Sequence, residues 1–127
     1  MKYLKHFESK KNKFPDIKKI QIDGYNVMVG RDAKSNDYLT FIEAYDEDIW
    51  MHVKGVPGSH VVIRVVDNLP TPEVLKAAAE LAKNNSKAQK DQLVTVVYCQ
   101  RKFVKKEPNM NPGQVRVDYR NSEEITI

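Results

Sequence analysis

The chain has 127 residues, of which 41% are hydrophobic and 30% are charged, so it suits one domain with a single core and leaves no room for a second. No apolar run approaches the roughly 20 residues of a membrane helix, and the N-terminus lacks the apolar segment of a secretory signal. The single cysteine, Cys99, excludes an internal disulfide and a cysteine-rich zinc site. We therefore expect one cytoplasmic domain that does not contact a membrane.

The net charge of +4 is concentrated at the N-terminus. Residues 1–19 hold seven lysines and two acidic residues, whereas the rest of the chain holds 14 basic and 15 acidic residues. Lysines clustered in this way can bind phosphates by charge alone. We expect residues 1–18 to form a basic N-terminal arm, with Lys11 and Lys13 as nucleic-acid ligands, and residues 19–127 to form the domain. A solvated lead-in without a binding role is the alternative.

The first predicted elements are a short helix and a hairpin. Apolar residues near positions 3–7 have helical spacing. Residues 19–23 and 25–30 have the composition of β-strands and are joined by Asp23-Gly24. This pair suits a two-residue turn that requires positive φ, so the segment is predicted to be a hairpin.

A second helix and a second hairpin follow. Ser35 or Asn36 is predicted to cap a helix in which Ile42 faces inward. Residues 49–54 and 60–66 alternate apolar and polar side chains around a loop rich in glycine and proline. The pattern predicts two antiparallel strands.

The longest predicted helix begins at Pro72, with Thr71 as its cap, and continues to about Lys87. Its apolar stripe consists largely of alanine, which lets a helix pack closely on a sheet. The remaining predicted strands are residues 93–99, 115–119 and 125–127. Hairpins interleaved with two principal helices predict an α+β fold with a mainly antiparallel sheet.

The second hairpin also predicts a chemical face. Side chains that alternate along a strand share a face, so if the apolar set faces one core, the polar set lies on the outer face. That outer set is Trp50, His52, Lys54, His60 and Arg64. An exposed tryptophan stacks on an unpaired base for roughly 1–3 kcal/mol, and the cations bind phosphates. The alternative is that Trp50 packs under the long helix and the histidines form internal hydrogen bonds.

Enzymatic interpretations are less well supported by the same residues. Ser59 and His60 are adjacent, but neighbouring strand residues point to opposite faces and no Gly-x-Ser-x-Gly turn is present. His52, His60 and Asp48 could bind a divalent ion or act as acid and base in a nucleic-acid-processing enzyme. This enzyme is the alternative. Our principal expectation is a domain without a catalytic residue, a metal or a cofactor.

Several motifs together resemble a known family. They are VGRDAKSNDYLTF at 29–41, DIWMHVK at 48–54, PGSHVVIR at 57–64, NSKA at 85–88, VVY at 96–98 and NPGQV at 111–115. In content and order they closely resemble the NFACT-R domain, the RNA-binding module of ribosome-associated quality-control factors. The chain lacks room for the other domains of those factors, so the resemblance does not extend to their tail synthesis.

The resemblance implies a non-catalytic module that binds tRNA or the RNA of the large ribosomal subunit. DNA is a second candidate ligand, since a membrane-associated relative looks like a DNA receptor. A third alternative is a protein adaptor that occupies the docking site of a quality-control factor without contacting RNA. Matching the motifs gives the candidate nucleic-acid ligands Arg31, Lys34, Asn36, Asp37, Trp50, His52, Lys54, Ser59, His60, Arg64 and Lys87.

Overall fold

A six-stranded antiparallel sheet forms the centre of the fold in the computed structural model, which describes residues 13–127. The strands are β1 (Ile17–Ile22), β2 (Tyr25–Gly30), β3 (Ile49–Val53), β4 (Val61–Ile63), β5 (Thr95–Gln100), β6 (Val104–Lys105), β7 (Arg116–Val117) and β8 (Glu123–Thr126). The large sheet has the order β1-β2-β4-β3-β5-β8, and β6 and β7 form a separate two-stranded ribbon. With its two helices, this architecture confirms the α+β class. The expected helix near residues 3–7 lies outside the described residues, as does Lys11.

Both helices begin at a side-chain cap. Helix α1 (Ala33–Tyr38) is preceded by Asp32, whose carboxylate accepts a hydrogen bond from the Ser35 N–H at 2.8 Å. The expectation that Ser35 or Asn36 caps this helix is therefore wrong, because both lie inside it and are buried. Helix α2 (Pro72–Asn84) begins as predicted, with the Thr71 hydroxyl accepting from the Val74 N–H.

A π-helical turn over Leu39–Glu43 continues α1. Such a turn contains more residues than an α-helical turn and rotates the side chains that follow it. Leu39 is fully buried, whereas Ile42, which the sequence places inward, is 67% exposed. The regular helical period that we expected does not hold in this segment.

The two predicted hairpins are present. Ile22 pairs with Tyr25 across the turn, and both turn residues have positive φ, 48° at Asp23 and 85° at Gly24. In the second hairpin, Ile49 pairs with Ile63 and Met51 with Val61. Strand β4 is only three residues long, and β7 pairs with β6 instead of joining the large sheet.

The sheet carries a hydrophobic core on each of its two faces. On one face, α2 packs over a cluster that includes Met51, Val61 and Ile63. On the other face, Trp50 and Val62 pack with residues of the π-helical turn and of the β6–β7 ribbon. Because α2 covers one face of β3 and β4, and the π-helical turn and the β6–β7 ribbon cover the other, both faces of these strands are buried. The predicted outer face of the second hairpin is therefore largely interior.

Among residues 13–127, α2 is the longest helix with 13 residues, and none of the helices there combines the length and the apolar character that a bilayer span requires.

Candidate nucleic-acid interface

An open cleft of about 900 Å³ lies beside the loop between β3 and β4. Its walls also include the start of α1, the segment after α2 and the loop before β7. Eight of the eleven motif candidates line it: Arg31, Asn36, Trp50, His52, Lys54, Ser59, His60 and Lys87. The structure thus brings most of the motif residues together, although they come from four separate segments.

Asn36 connects α1 to the loop between β3 and β4. Its Oδ1 accepts the His60 N–H at 3.0 Å, and its Nδ2 donates to the Gly58 carbonyl at 3.4 Å. The amide reaches this position only because Gly30 is beside it, since a Cβ at Gly30 would overlap Asn36 Oδ1. Asn36 is buried and serves to position the cleft wall.

The same loop is joined to the segment after α2. The Ser59 N–H donates to the Asn85 carbonyl at 2.9 Å, and the Lys87 N–H donates to the Pro57 carbonyl at 3.0 Å. Between these bonds Gly58 lies against Ser86, where an added Cβ would be 2.7 Å from Ser86 Cβ. The backbone therefore holds Lys87 beside the β3–β4 loop at this part of the cleft.

His60 is a buried structural residue. Its Nε2 lies 3.1 Å from the Gly113 carbonyl, which can only accept, so Nε2 carries the proton. Its Nδ1 then accepts from the Thr40 hydroxyl at 2.7 Å. Burial, followed by the effect of positive charge on the nearby His52, lowers the pKa of His60 to about 3. The neutral ring joins the loop before β7 to the floor of the cleft.

Three aromatic rings pack at this floor. Trp50 stacks on His52 with a centroid separation of 5.9 Å, and both rings pack nearly perpendicular to the His60 ring. Trp50 is 1% exposed, so the expected stacking of its ring on a base is wrong: the ring belongs to the core. His52 is partly accessible, and burial lowers its pKa.

Arg64 lies outside the cleft and has a structural role. Its Nε donates to Asp48 Oδ2 at 2.9 Å, and its Nη2 donates to the Glu43 carbonyl. The Asp48 side chain is 1% exposed and also accepts from the Tyr45 and Val65 N–H groups. The expectation of a solvent-facing Arg64 is wrong, because the buried carboxylate requires a positively charged partner.

Three other candidates lie away from the cleft lining. Asp37 pairs with Lys106 at 3.0 Å, and Lys106 also donates to carbonyls of the loop before β7. Lys34 is exposed on α1, and the exposed Lys13 lies 3.9 Å from Asp16. Asp37 thus stabilises the loop that carries Gly113, and the structure places neither Lys34 nor Lys13 in the lining of the cleft.

The rim of the cleft carries three cations. Arg31 is exposed and lies 3.9 Å from Asp16, and Lys54 pairs with Glu124 at 2.7 Å, which raises the pKa of Lys54. Lys87 is exposed and has no ion pair within residues 13–127. Lysine and arginine in these positions can reach the phosphates of a bound nucleic acid.

Other polar groups of the cleft were not among the candidates that the sequence indicated. These are Asn84, Asn85, Gln89, Gln114 and Tyr119. Asn85 and Gln114 lie within two of the family motifs but were not selected as candidates, because amides are common at helix ends and in turns. Asn84, Gln89 and Tyr119 lie outside the motifs and carried no functional signal before the fold was known. In the fold they line the same cleft as the three cations and offer hydrogen-bond donors and acceptors to a ligand.

The metal alternative finds no support in the described part of the chain. Within residues 13–127 no group of three or more His, Cys, Asp or Glu side chains is arranged to bind an ion. Both ring nitrogens of His60 already have partners, and Asp48 is bound to Arg64. His52 and His60 contact each other through their rings, with centroids 5.5 Å apart.

Comparison with known proteins agrees with this arrangement. The family described as NFACT protein RNA binding domain matches residues 13–119. The chain belongs to this family. It is 38% identical over 103 residues to the Rqc2 homolog RqcH of Bacillus subtilis strain 168, a match that covers 81% of the chain and 18% of that protein. It is 32% identical over 102 residues to coiled-coil domain-containing protein 25 of Bos taurus, covering 76% of the chain and 48% of that protein.

A solved structure supports the same assignment of this NFACT RNA binding domain. The C-terminal part of the fibronectin/fibrinogen-binding protein from Streptococcus suis superposes with a TM-score of 0.79 and 36% identity, covering 91% of this chain and 45% of that one. The chain therefore spans less than a fifth of the length of its RqcH relatives and about half of the solved chain.

The close approach of Gly30 and Asn36 predicts non-additive stability effects. Gly30→Ala should lower the free energy of unfolding of the domain by about 1–3 kcal/mol, because the new methyl group displaces the Asn36 amide. In an Asn36→Ala background the same change should cost less than half as much. Urea unfolding of the two single variants and the double variant measures this coupling. Additive decreases would show that the close approach does not constrain Gly30.

The Asp48–Arg64 pair predicts that Arg64 acts on stability. Arg64→Ala leaves a buried carboxylate with only backbone donors, so we expect a decrease of about 3 kcal/mol in unfolding free energy. The matched control is Arg31→Ala, which removes an exposed cation and should change stability by less than about 0.5 kcal/mol. Thermal and urea unfolding check both values. Equal decreases in the two variants would contradict the structural role of Arg64.

The low pKa of His60 predicts acid sensitivity. The unfolded chain gains a proton on this ring below about pH 6.5, whereas the folded ring gains one only near pH 3. The contribution of the neutral His60 ring to the free energy of unfolding is thus complete at neutral pH and is lost as the pH falls through this range. At pH 4 the free energy of unfolding should be lower by about 3 kcal/mol for this reason. Urea unfolding at pH 7 and pH 4 should show a smaller pH dependence in His60→Gln than in the unchanged domain. An identical dependence would contradict the prediction.

Proposed function

We propose that this domain binds structured RNA, either tRNA or the RNA of the large ribosomal subunit, as part of ribosome-associated quality control. The observation that carries the proposal is the concentration of the family motifs in one cation-rimmed cleft. Family membership supports the RNA ligand, and the similarity to Rqc2 homologs supports the ribosomal setting.

The first contribution to binding in this cleft is electrostatic attraction between its cations and the RNA phosphates. Arg31, Lys54 and Lys87 lie on its rim, where they replace the counterions of the RNA phosphates. Asn84, Gln89 and other amides of the lining can then form hydrogen bonds with base edges and with 2′-hydroxyl groups. The 2′-hydroxyl contact is what favours RNA over DNA in this proposal.

Hydrogen bonds within the domain fix the walls of the cleft in the absence of a ligand. Asn36 fixes the loop between β3 and β4, and the backbone bonds of Ser59 and Lys87 fix the segment after α2. The ordering cost of RNA binding therefore falls mainly on exposed side chains of the rim. His60 contributes by holding the Gly113 loop in place and has no nitrogen available as a catalytic acid or base.

The test compares two variants with the same change in net charge. Arg31→Gln with Lys87→Gln removes two cations of the cleft, and Lys76→Gln with Lys90→Gln removes two exposed lysines that do not line it. We expect only the cleft variant to bind RNA more weakly and to reduce the slope of log K against log salt, by about 0.7–0.9 for each phosphate that is no longer neutralised. Fluorescence anisotropy with tRNA, single-stranded RNA and duplex DNA measures the affinity, the slope and the preference.

Cosedimentation with isolated large ribosomal subunits extends the test to the proposed setting. The cleft variant should release the domain from the subunit at lower salt than the control variant. Equal binding by the two variants, or no preference for RNA over duplex DNA, would contradict the proposal. Ribosome association that persists in high salt and after nuclease treatment would instead indicate a protein contact.

A further inference from the structure

A second groove, of about 410 Å³, begins where the cleft ends. The two share Val117 and Tyr119 in their linings, so they meet at the end of the β6–β7 ribbon. The groove is lined by four cations, Lys102, Lys105, Arg116 and Arg120, and by one acidic residue, Asp118. Lys102 is paired with Glu47 at 3.0 Å, so the positive charge of the groove comes mainly from the other three cations.

The cations of this groove differ in how far they are already neutralised. Lys105 and Arg116 are cross-strand partners in the ribbon, and Lys105 has no ion pair or side-chain hydrogen bond within residues 13–127. Arg116 lies 3.6 Å from Glu107 and is 66% exposed, and Arg120 is 93% exposed. Exposed pairs of this kind contribute little energy, so a phosphate can displace the carboxylates.

Tyr119 lies at the junction of the cleft and the second groove. Its backbone is fixed by hydrogen bonds, and its ring is exposed. It begins a 3₁₀ turn in which the Asp118 carboxylate accepts from the Arg120 N–H and from the Asn121 side chain. The Ser122 hydroxyl donates to the Tyr119 carbonyl at 2.9 Å. The Tyr119 side chain is 57% exposed, and Lys54 Nζ lies 5.4 Å from the centre of the ring.

From this arrangement we infer that one unpaired RNA strand runs from the cleft across Tyr119 into the second groove. A base stacks on the Tyr119 ring, and the following phosphates bind Lys105, Arg116 and Arg120. The inference rests on the proposed RNA binding and adds that the contacted segment of the RNA is an unpaired strand, together with the path of that strand. Tyr119 takes the stacking role that the sequence assigned to the buried Trp50.

The chemistry favours a single strand over an acidic peptide or a duplex. An exposed aromatic ring on a fixed backbone, beside a cation, is a platform on which any base can stack, and cations that follow it match the repeating phosphates of the backbone. A base paired within a duplex is stacked on its neighbours and cannot lie on the Tyr119 ring without being unpaired.

The first experiment measures binding of a single-stranded RNA of about eight nucleotides and of an RNA hairpin without an overhang, by fluorescence anisotropy. We expect Tyr119→Ala to weaken binding of the single strand about 5- to 150-fold, which corresponds to removal of one stacked base. Tyr119→Phe keeps the ring and should retain the affinity for the single strand. The hairpin should respond to neither change.

The second experiment tests the path of the strand with Lys105→Gln and Arg116→Gln combined, against the Lys76→Gln and Lys90→Gln control of equal charge. The groove variant should bind the single strand of about eight nucleotides more weakly. The slope of log K against log salt for that strand should fall by about 0.7 for each phosphate that the variant no longer neutralises. A dinucleotide, which occupies the cleft alone, should bind the groove variant and the control equally.

The outcomes separate this inference from the proposed function. If the unchanged domain binds RNA but the Tyr119→Ala and groove variants bind the longer strand as well as the control does, the path is wrong and RNA binding in the cleft stands. If the unchanged domain binds none of the RNAs, both proposals are wrong. Displacement of the strand by a polyglutamate peptide at equal charge concentration would overturn the inference and assign the groove to acidic peptides.

Discussion

The arrangement of the cleft depends on one buried amide. Asn36 forms hydrogen bonds with both the Gly58 carbonyl and the His60 N–H, and so connects helix α1 to the loop between β3 and β4. Without this side chain, the His60 N–H would be a buried donor with no partner, which is costly in a protein interior. Gly30 is the complementary requirement, because only a residue without a Cβ leaves space for the amide.

The segments joined by Asn36 hold further parts of the molecule in place. His60 connects to the loop at Gly113, and Asp37, through Lys106, secures the same loop from the other side. Ser59 connects to the end of α2. The buried members of the motifs therefore determine where the exposed members lie. This division explains why one sequence motif contains both structural residues and residues that we propose to contact RNA.

In the second hairpin, the sequence alone predicted one face of the strands correctly and the other face wrongly. Alternation of Ile49, Met51 and Val53 correctly identified the side chains that face α2. The assignment of Trp50 to an exposed face failed because residues 39–43 and the β6–β7 ribbon cover that side of the sheet. No local pattern in the strand shows whether a distant segment will cover it.

The sequence by itself determined the local elements. Asp23-Gly24 specified the first turn, Thr71-Pro72 specified the start of α2, and the order of the motifs indicated the family, because each of these signals depends on residues close together in the chain. Only the tertiary structure decided which polar residues are accessible. Arg64 belongs to a motif but pairs with the buried Asp48. Tyr119 belongs to none of the motifs, yet its ring reaches the surface between the cleft and the second groove. Accessibility depends on contacts between segments that are far apart in sequence, and those contacts form only when the chain folds.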